Sequence, residues 1–82
     1  MRFVPFQPVH RRGEQLAASQ EPVPPEAQES LRQVLRFYDV PFRTSDQGEL
    51  LIPETLTRDL DTLWNYTTKA NDPAWLRAHR SG

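Results

Sequence analysis

Cysteine is absent, lysine occurs once, at Lys69, and the 82 residues contain three glycines and two histidines. Without cysteine there can be no disulfide, no thiolate metal site and no cysteine nucleophile. Small secreted domains usually depend on disulfide staples, so a cytoplasmic protein is expected. No apolar run reaches the length of a membrane helix, and no membrane association is expected. The glycines, Gly13, Gly48 and Gly82, are too scattered for a phosphate-cradling loop. His10 and His79 lie at opposite ends of the chain, with none of the spacings that hold a metal. No serine sits in a nucleophile-elbow context. Asp59 and Asp61 form a close carboxylate pair, but residues two apart on a helix point about 200° away from each other. No catalytic residue, cofactor, metal or small-molecule substrate is therefore expected, and the chain does not read as an enzyme.

The net charge is −1. A dedicated nucleic-acid binder usually carries a basic excess, because its affinity comes from neutralising phosphates. Every basic residue other than Lys69 is arginine, a bias that fits a GC-rich bacterial or phage genome. A chain of this length buries about 60% of its unfolded surface, so it forms one domain with a marginal core. Burial against a partner or a second copy would add to that core.

Five of the eight prolines fall within the first 25 residues. Residues 1–24 therefore read as an extended or flexible N-terminal arm with a Pro-rich linker, and 25–82 as a small α+β domain. In the arm, Phe3, Val4 and Phe6 make a β-prone segment that Pro5 restricts to an edge strand. Residues 14–20 read as one or two helical turns. Glu21 to Pro25 reads as a semi-rigid spacer.

The helices are marked by periodicity. Ala27, Leu31, Val34, Leu35 and Tyr38 repeat at the 3.6-residue period, with Pro25 suited to the first turn and Pro41 forcing a stop. Leu56, Leu60, Leu63, Trp64 and Thr67 repeat the same stripe over 54–69, with Thr55 as candidate N-cap. Asp72-Pro73 opens a short third helix over 73–80, with Trp75, Leu76 and His79 facing inward. Between the first two helices lies a hairpin, residues 40–44 and 49–52. A two-residue turn would pair Phe42 with Leu51. A three-residue loop with Gly48 in a left-handed bulge pairs Thr44 with Leu50 and Phe42 with Ile52. The second register puts Val40, Phe42, Leu50 and Ile52 on one face and is preferred. Leu51 then points the other way and needs separate cover.

The expected fold is a small (β)αββαα domain: two amphipathic helices packed on one face of a two- or three-stranded antiparallel sheet, behind the N-terminal arm. From Leu31 to Leu63 the chain runs helix, Tyr38-Asp39-Val40-Pro41-Phe42, Gly48-Glu49-Leu50-Leu51-Ile52-Pro53, helix. This stretch, under half of the chain, resembles in topology the small αββα modules that serve as assembly units, including the ring-building domains of bacterial secretion machines.

Function is sought in the aromatic and basic residues. Phe37 lies off its helix stripe, and Trp64, Tyr66 and Trp75 crowd towards the C-terminal end. They can fill a small core, or some can remain exposed as interface anchors, where tryptophan, tyrosine and arginine are favoured. The arm can fold back on its own sheet or add to the sheet of another chain. Candidate partner-binding residues are therefore Phe3, Val4, Phe6, Arg32, Arg36, Phe37, Leu51, Tyr66 and Trp75. The expectation is a non-catalytic protein-binding or self-assembling module: an accessory subunit, an adaptor, or a small phage or mobile-element inhibitor of a host protein. Its partner would be another protein or a second copy of itself. The alternative is a nucleic-acid-associated regulator using Arg11, Arg12, Arg77 and Arg80.

The hairpin reading carries a prediction. Gly48→Val should destabilise the domain by more than the roughly 0.5 kcal/mol of an ordinary surface change, because a β-branched residue resists positive φ. Chemical denaturation of the variant checks this, and a neutral result would favour the other register.

Overall fold

The computed structural model describes residues 1–21 and 23–80; Pro22 of the expected linker, and residues 81 and 82 at the end of the expected domain, lie outside the described residues. Among the described residues five strands and three α-helices follow one another. They are β1 (Phe3–Pro5), β2 (Val9–Arg12), β3 (Gln15–Ala18), α1 (Pro25–Phe37), β4 (Arg43–Thr44), β5 (Leu50–Pro53), α2 (Leu60–Ala70) and α3 (Pro73–Ala78). A 3₁₀ helix, Glu54–Arg58, leads into α2. The fold is small α+β, with helices packed on an antiparallel sheet.

The main sheet has the order β1-β5-β4. Val4 lies opposite Ile52 and Pro5 opposite Leu51. Outside the ladder, the Phe6 N–H donates to the Leu50 carbonyl at 2.8 Å and the Glu54 N–H to the Arg2 carbonyl at 2.8 Å. An Arg2–Glu54 ion pair at 3.1 Å closes the far end. N–H groups of a strand alternate in direction. Since Phe6 donates inward, the nitrogen of Pro5 lies on the outer edge, where its missing hydrogen costs no ladder bond. The segment expected to be an edge strand or a free arm is thus the third strand of its own sheet.

The hairpin adopts the three-residue-loop register, with Arg43 opposite Leu51 and Thr44 opposite Leu50. Gly48 has φ +81. Side-chain alternation then sorts β5. Leu50 and Ile52 are buried towards the helices, together with Phe6, Leu31, Val34, Leu35 and Leu63. Leu51 shares the opposite face with Phe3, Pro5 and Arg43, and the Arg43 guanidinium lies 4.4 Å from the centroid of the Phe3 ring.

Gln28 links the sheet to α1. It is only 6% exposed. Its Nε2 donates to the Gly48 carbonyl at 2.9 Å, and its Oε1 accepts from Arg32 at 3.0 Å. Buried amides are tolerated when both ends are satisfied, and this one fixes the hairpin turn against the helix.

Apart from the first hairpin strand, which pairs only at Arg43–Thr44 and not from residue 40, three elements differ from the sequence reading. Residues 14–20 are not helical: Gln15–Ala18 pairs with Val9–Arg12 in a second, two-stranded sheet. The reversal runs through Gly13 at φ +61, which suits the first central position of a II′ turn. Pairing and the burial of Val9 outweigh the helix propensity of alanine, leucine and glutamine. The helix expected over 54–69 is broken at Asp59, which has φ −108 and ψ 84. Asp59 replaces Thr55 as the cap: its Oδ1 accepts the Thr62 N–H at 3.1 Å and its Oδ2 the Thr62 hydroxyl at 2.7 Å. Aspartate favours a cap over a helix interior because its side chain satisfies the orphan amides there. The third difference is small: α3 ends at Ala78, two residues before the expected limit. Its start is as read, with the Asp72 Oδ1 accepting from the amides of Ala74 and Trp75.

α1 stops in a Schellman motif. Asp39 takes the left-handed position at φ +57. Its N–H donates to the Arg36 carbonyl at 3.1 Å, and the Val40 N–H donates to the Leu35 carbonyl at 2.9 Å. This is the 5→2 and 6→1 pattern that satisfies the last carbonyls of a helix. Glycine is the usual occupant, since a Cβ is strained there. Asp39→Gly should therefore raise stability by about 0.5–1 kcal/mol, read as a higher denaturant midpoint at unchanged slope.

The α2 cap has a pH signature. The Thr62 hydroxyl, followed by the Thr62 amide, holds the Asp59 carboxyl below its ordinary value. A depressed folded-state pKa means that the cap contributes fully above the unfolded value, about 3.9. That contribution is lost as pH falls through the folded value. Asp59 should titrate below the usual aspartate range by carbonyl NMR, and Thr62→Val should move its midpoint upwards.

Candidate partner-binding surface

The surface that stands out is built by the abrupt end of α1. Because the chain reverses at Asp39, the side chains of the last helical turn have no following turn to cover them. Phe37 remains 49% exposed and Tyr38 37%. Apart from Met1, they are the exposed large hydrophobic residues among those described.

α3 returns to pack beside them. Gln33 on α1 donates from its Nε2 to the Leu76 carbonyl at 2.6 Å, pinning α3 in place. Trp75 and His79 are then set against Phe37. The Phe37 ring meets those of Tyr38, Trp75 and His79 edge-on, at centroid distances of 5.0, 5.2 and 4.9 Å. Edge-to-face contacts of this kind exploit the ring quadrupole. His79 stacks on Trp75 at 4.4 Å with an interplanar angle of 19°. Its Nδ1 lies 2.9 Å from the Trp75 carbonyl, an acceptor, so the Nδ1–H tautomer makes this bond.

On the other side Tyr38 meets Tyr66, with ring centroids 5.2 Å apart. Tyr66 is 7% exposed and belongs to the core. Burial, followed by the neighbouring Tyr38, pushes its phenol above the ordinary value, so it stays neutral. The Asn65 amide lies 3.5 Å from the Tyr38 hydroxyl, and its carbonyl oxygen accepts from the Lys69 ammonium. The Lys69 nitrogen sits 5.9 Å from the centroid of the Tyr38 ring. The result is a contiguous aromatic knob with a cation at its edge.

The residues proposed from sequence divide among several places. Phe37 and Trp75 meet in the knob, and Tyr66 forms its buried base. Arg36 lies beside it but is directed elsewhere, 5.6 Å from the Phe42 ring and 3.4 Å from Glu29. Arg32 is held by Gln28, Thr44 and Glu29. Phe3, Val4 and Leu51 are half-buried in the main sheet, and Phe6, 1% exposed, is in the core. The arginines of the nucleic-acid alternative are on separate elements: Arg11 and Arg12 on β2, Arg77 on α3 and Arg80 just beyond it.

Tyr38, Lys69 and His79 were not among the proposed contacts. Tyr38 keeps the helical period and therefore reads as part of the core stripe. The signal against that placement is Pro41, which ends the helix too soon for Tyr38 to be covered. The His79–Trp75 i, i+4 spacing on a capped helix places those two rings together.

Several recesses lie elsewhere among the described residues, including one of about 430 Å³ beside β1 lined by Arg2, Val4, Pro5, Gln7, Glu54 and Thr57. A second, of about 200 Å³, is lined by Pro8, Val23, Pro24, Ala27, Leu31 and Ala70 among others. Another, of about 210 Å³, separates the β2–β3 hairpin from α2 and is lined by Arg11, Glu14, Leu16, Asp61 and Trp64. Among the described residues no three histidine, aspartate or glutamate side chains group to hold a metal ion, and no helix is long and apolar enough to cross a membrane. Comparison with protein-family models, curated proteins and solved structures finds no match.

Proposed function

We propose that the chain is a non-catalytic protein-binding module whose contact surface is the aromatic knob at the end of α1. The observation that carries this reading is the exposure of Phe37 and Tyr38 in a setting where their rings pack against each other and against Trp75, His79 and Tyr66. Exposed apolar groups that cluster mark contact sites, whereas single ones do not. Rigid aromatic side chains bind well because little rotamer freedom remains to be lost. The partner is another protein or a second copy of the chain. The cysteine-free composition fits a cytoplasmic setting.

The β1 edge supports the knob over strand addition as the mode of contact. Pro5 occupies the outward-facing position and offers no N–H to an incoming strand. The Phe3–Pro5 segment that strand addition would use is already paired with β5.

A photo-crosslinking amino acid placed at Phe37, and separately at the exposed turn residue Gln47, tests the proposal in the cells that produce the chain. Adducts should form from position 37 and not from 47. Their mass separates a self-contact, at twice the chain mass, from a different protein. Equal adducts at both positions, or none at 37, would sink the reading.

A further inference from the structure

The partner's chemistry can be narrowed further on the assumption that the knob is the contact surface. Lys69 is half-buried, yet its hydrogen-bond partner is the neutral amide oxygen of Asn65. Among the described residues, the ion pairs join Arg2 to Glu54 and Arg32 and Arg36 to Glu29; none involves Lys69. A lysine stem buries readily along apolar surface while its ammonium stays at the surface, so Lys69 sets an unpaired positive charge at the edge of the knob. Two acids at the ends of the neighbouring helices do not serve it. Asp72 is engaged in capping α3, and Asp39 takes the left-handed stop of α1. An ammonium has three donors, and with Asn65 taking one, the others remain for an incoming acceptor. Lys69 is also positioned in advance, by Asn65 on one side and the Tyr38 ring on the other.

We infer that the knob receives a segment of a partner protein that sets an apolar side chain against Phe37 and Tyr38 and places an aspartate or glutamate on Lys69. Arg77 and Arg80, exposed along and just after α3, extend the preference for acidic flanks. A single-stranded nucleic acid is the less suitable occupant. Bases stack on open ring faces, and here one face of Trp75 is covered by His79 while Tyr38 lies against Tyr66 and Lys69.

The test is selection of a random-peptide library on the full chain, with counter-selection on Phe37→Ser, whose fold is verified by circular dichroism. Enriched peptides should carry aspartate or glutamate beside one or two large apolar residues. They should shift the indole N–H signal of Trp75 and leave that of Trp64, next to the β2–β3 hairpin, in place. Affinity should fall about tenfold in Lys69→Gln, the usual scale for losing a charge-assisted hydrogen bond, and by a similar factor when the peptide carboxylates become amides. Neutral or basic peptides that bind at Trp75 would overturn the acidic partner while leaving the knob as contact surface. If no peptide distinguishes the full chain from Phe37→Ser, both readings fall. Single-stranded oligothymidylate is the control: if it moves the Trp75 signal with an affinity that drops steeply with salt, the knob is a nucleic-acid surface and the inference is overturned.

Discussion

The pairing of β1 with β5 is the constraint on which the rest of the molecule depends. A two-stranded hairpin is marginal on its own and too narrow to support two helices. β5 is made central by the strand that arrives from the other end of the chain, so Leu50 and Ile52 gain neighbours on both sides. The same pairing brings Phe6 beneath the helices and lays Pro5 against Leu51. It is also the most non-local contact in the sheet, joining residues about fifty apart in sequence. Such contacts carry the largest loop-closure cost. The ion pair between Arg2 and Glu54 is exposed and contributes little by itself. Its position beyond the last ladder bond matters more, because it restrains the register where the strand would otherwise fray.

Proline serves different ends in the two halves. In β1 it closes an edge without breaking the ladder. At Pro25 it starts α1 without losing a bond, and at Pro41 it ensures that the helix cannot resume. The left-handed turn at Asp39 completes the stop. One consequence is structural: Val40 leaves the helix at once and enters the hairpin. The other bears on function. The last turn of α1 is left without cover from its own chain direction, and α3 fills that space incompletely.

Much of this was legible in the residues. The 3.6-residue stripes located α1 and α2, the Asp72-Pro73 pair located α3, and the wish to place Phe42, Leu50 and Ile52 on one face selected the correct hairpin register. Legibility failed where signals were short or local choices competed. The β2–β3 hairpin rests on four-residue strands whose sequences carry charged and helix-favouring side chains; only Gly13 marks it, and only in hindsight of a II′ turn. Asp59 lay inside a good helical stripe, and the stripe masked its capping geometry. The arm was seen as β-prone, but whether it would pair within its own chain depended on a distant strand that periodicity does not reveal. For the candidate surface, Phe37 and Trp75 were visible because they broke or crowded the pattern. Tyr38 was not, because it obeyed the pattern and was exposed by the helix stop.

Small domains cannot hide every aromatic residue, so exposure alone is a weak argument. The position of Phe37 makes it stronger. A residue in the last turn of a helix, half in solvent, is under no packing demand that a polar side chain would fail. Glutamine or lysine at that place would keep the helix, since both are good helix formers, and would remove an apolar surface that invites non-specific association. The buried core has Tyr66 here, one layer below, and does not include Phe37. The ring of Phe37 instead serves to align Tyr38, Trp75 and His79 around it. Within the monomer that alignment still leaves Phe37 and Tyr38 exposed. Against the proposed partner it would offer an already assembled aromatic surface, with Lys69 at its margin. The arrangement is costly for a free monomer and useful for a contact, and that asymmetry is the physical basis for reading the end of α1 as the working face of the protein.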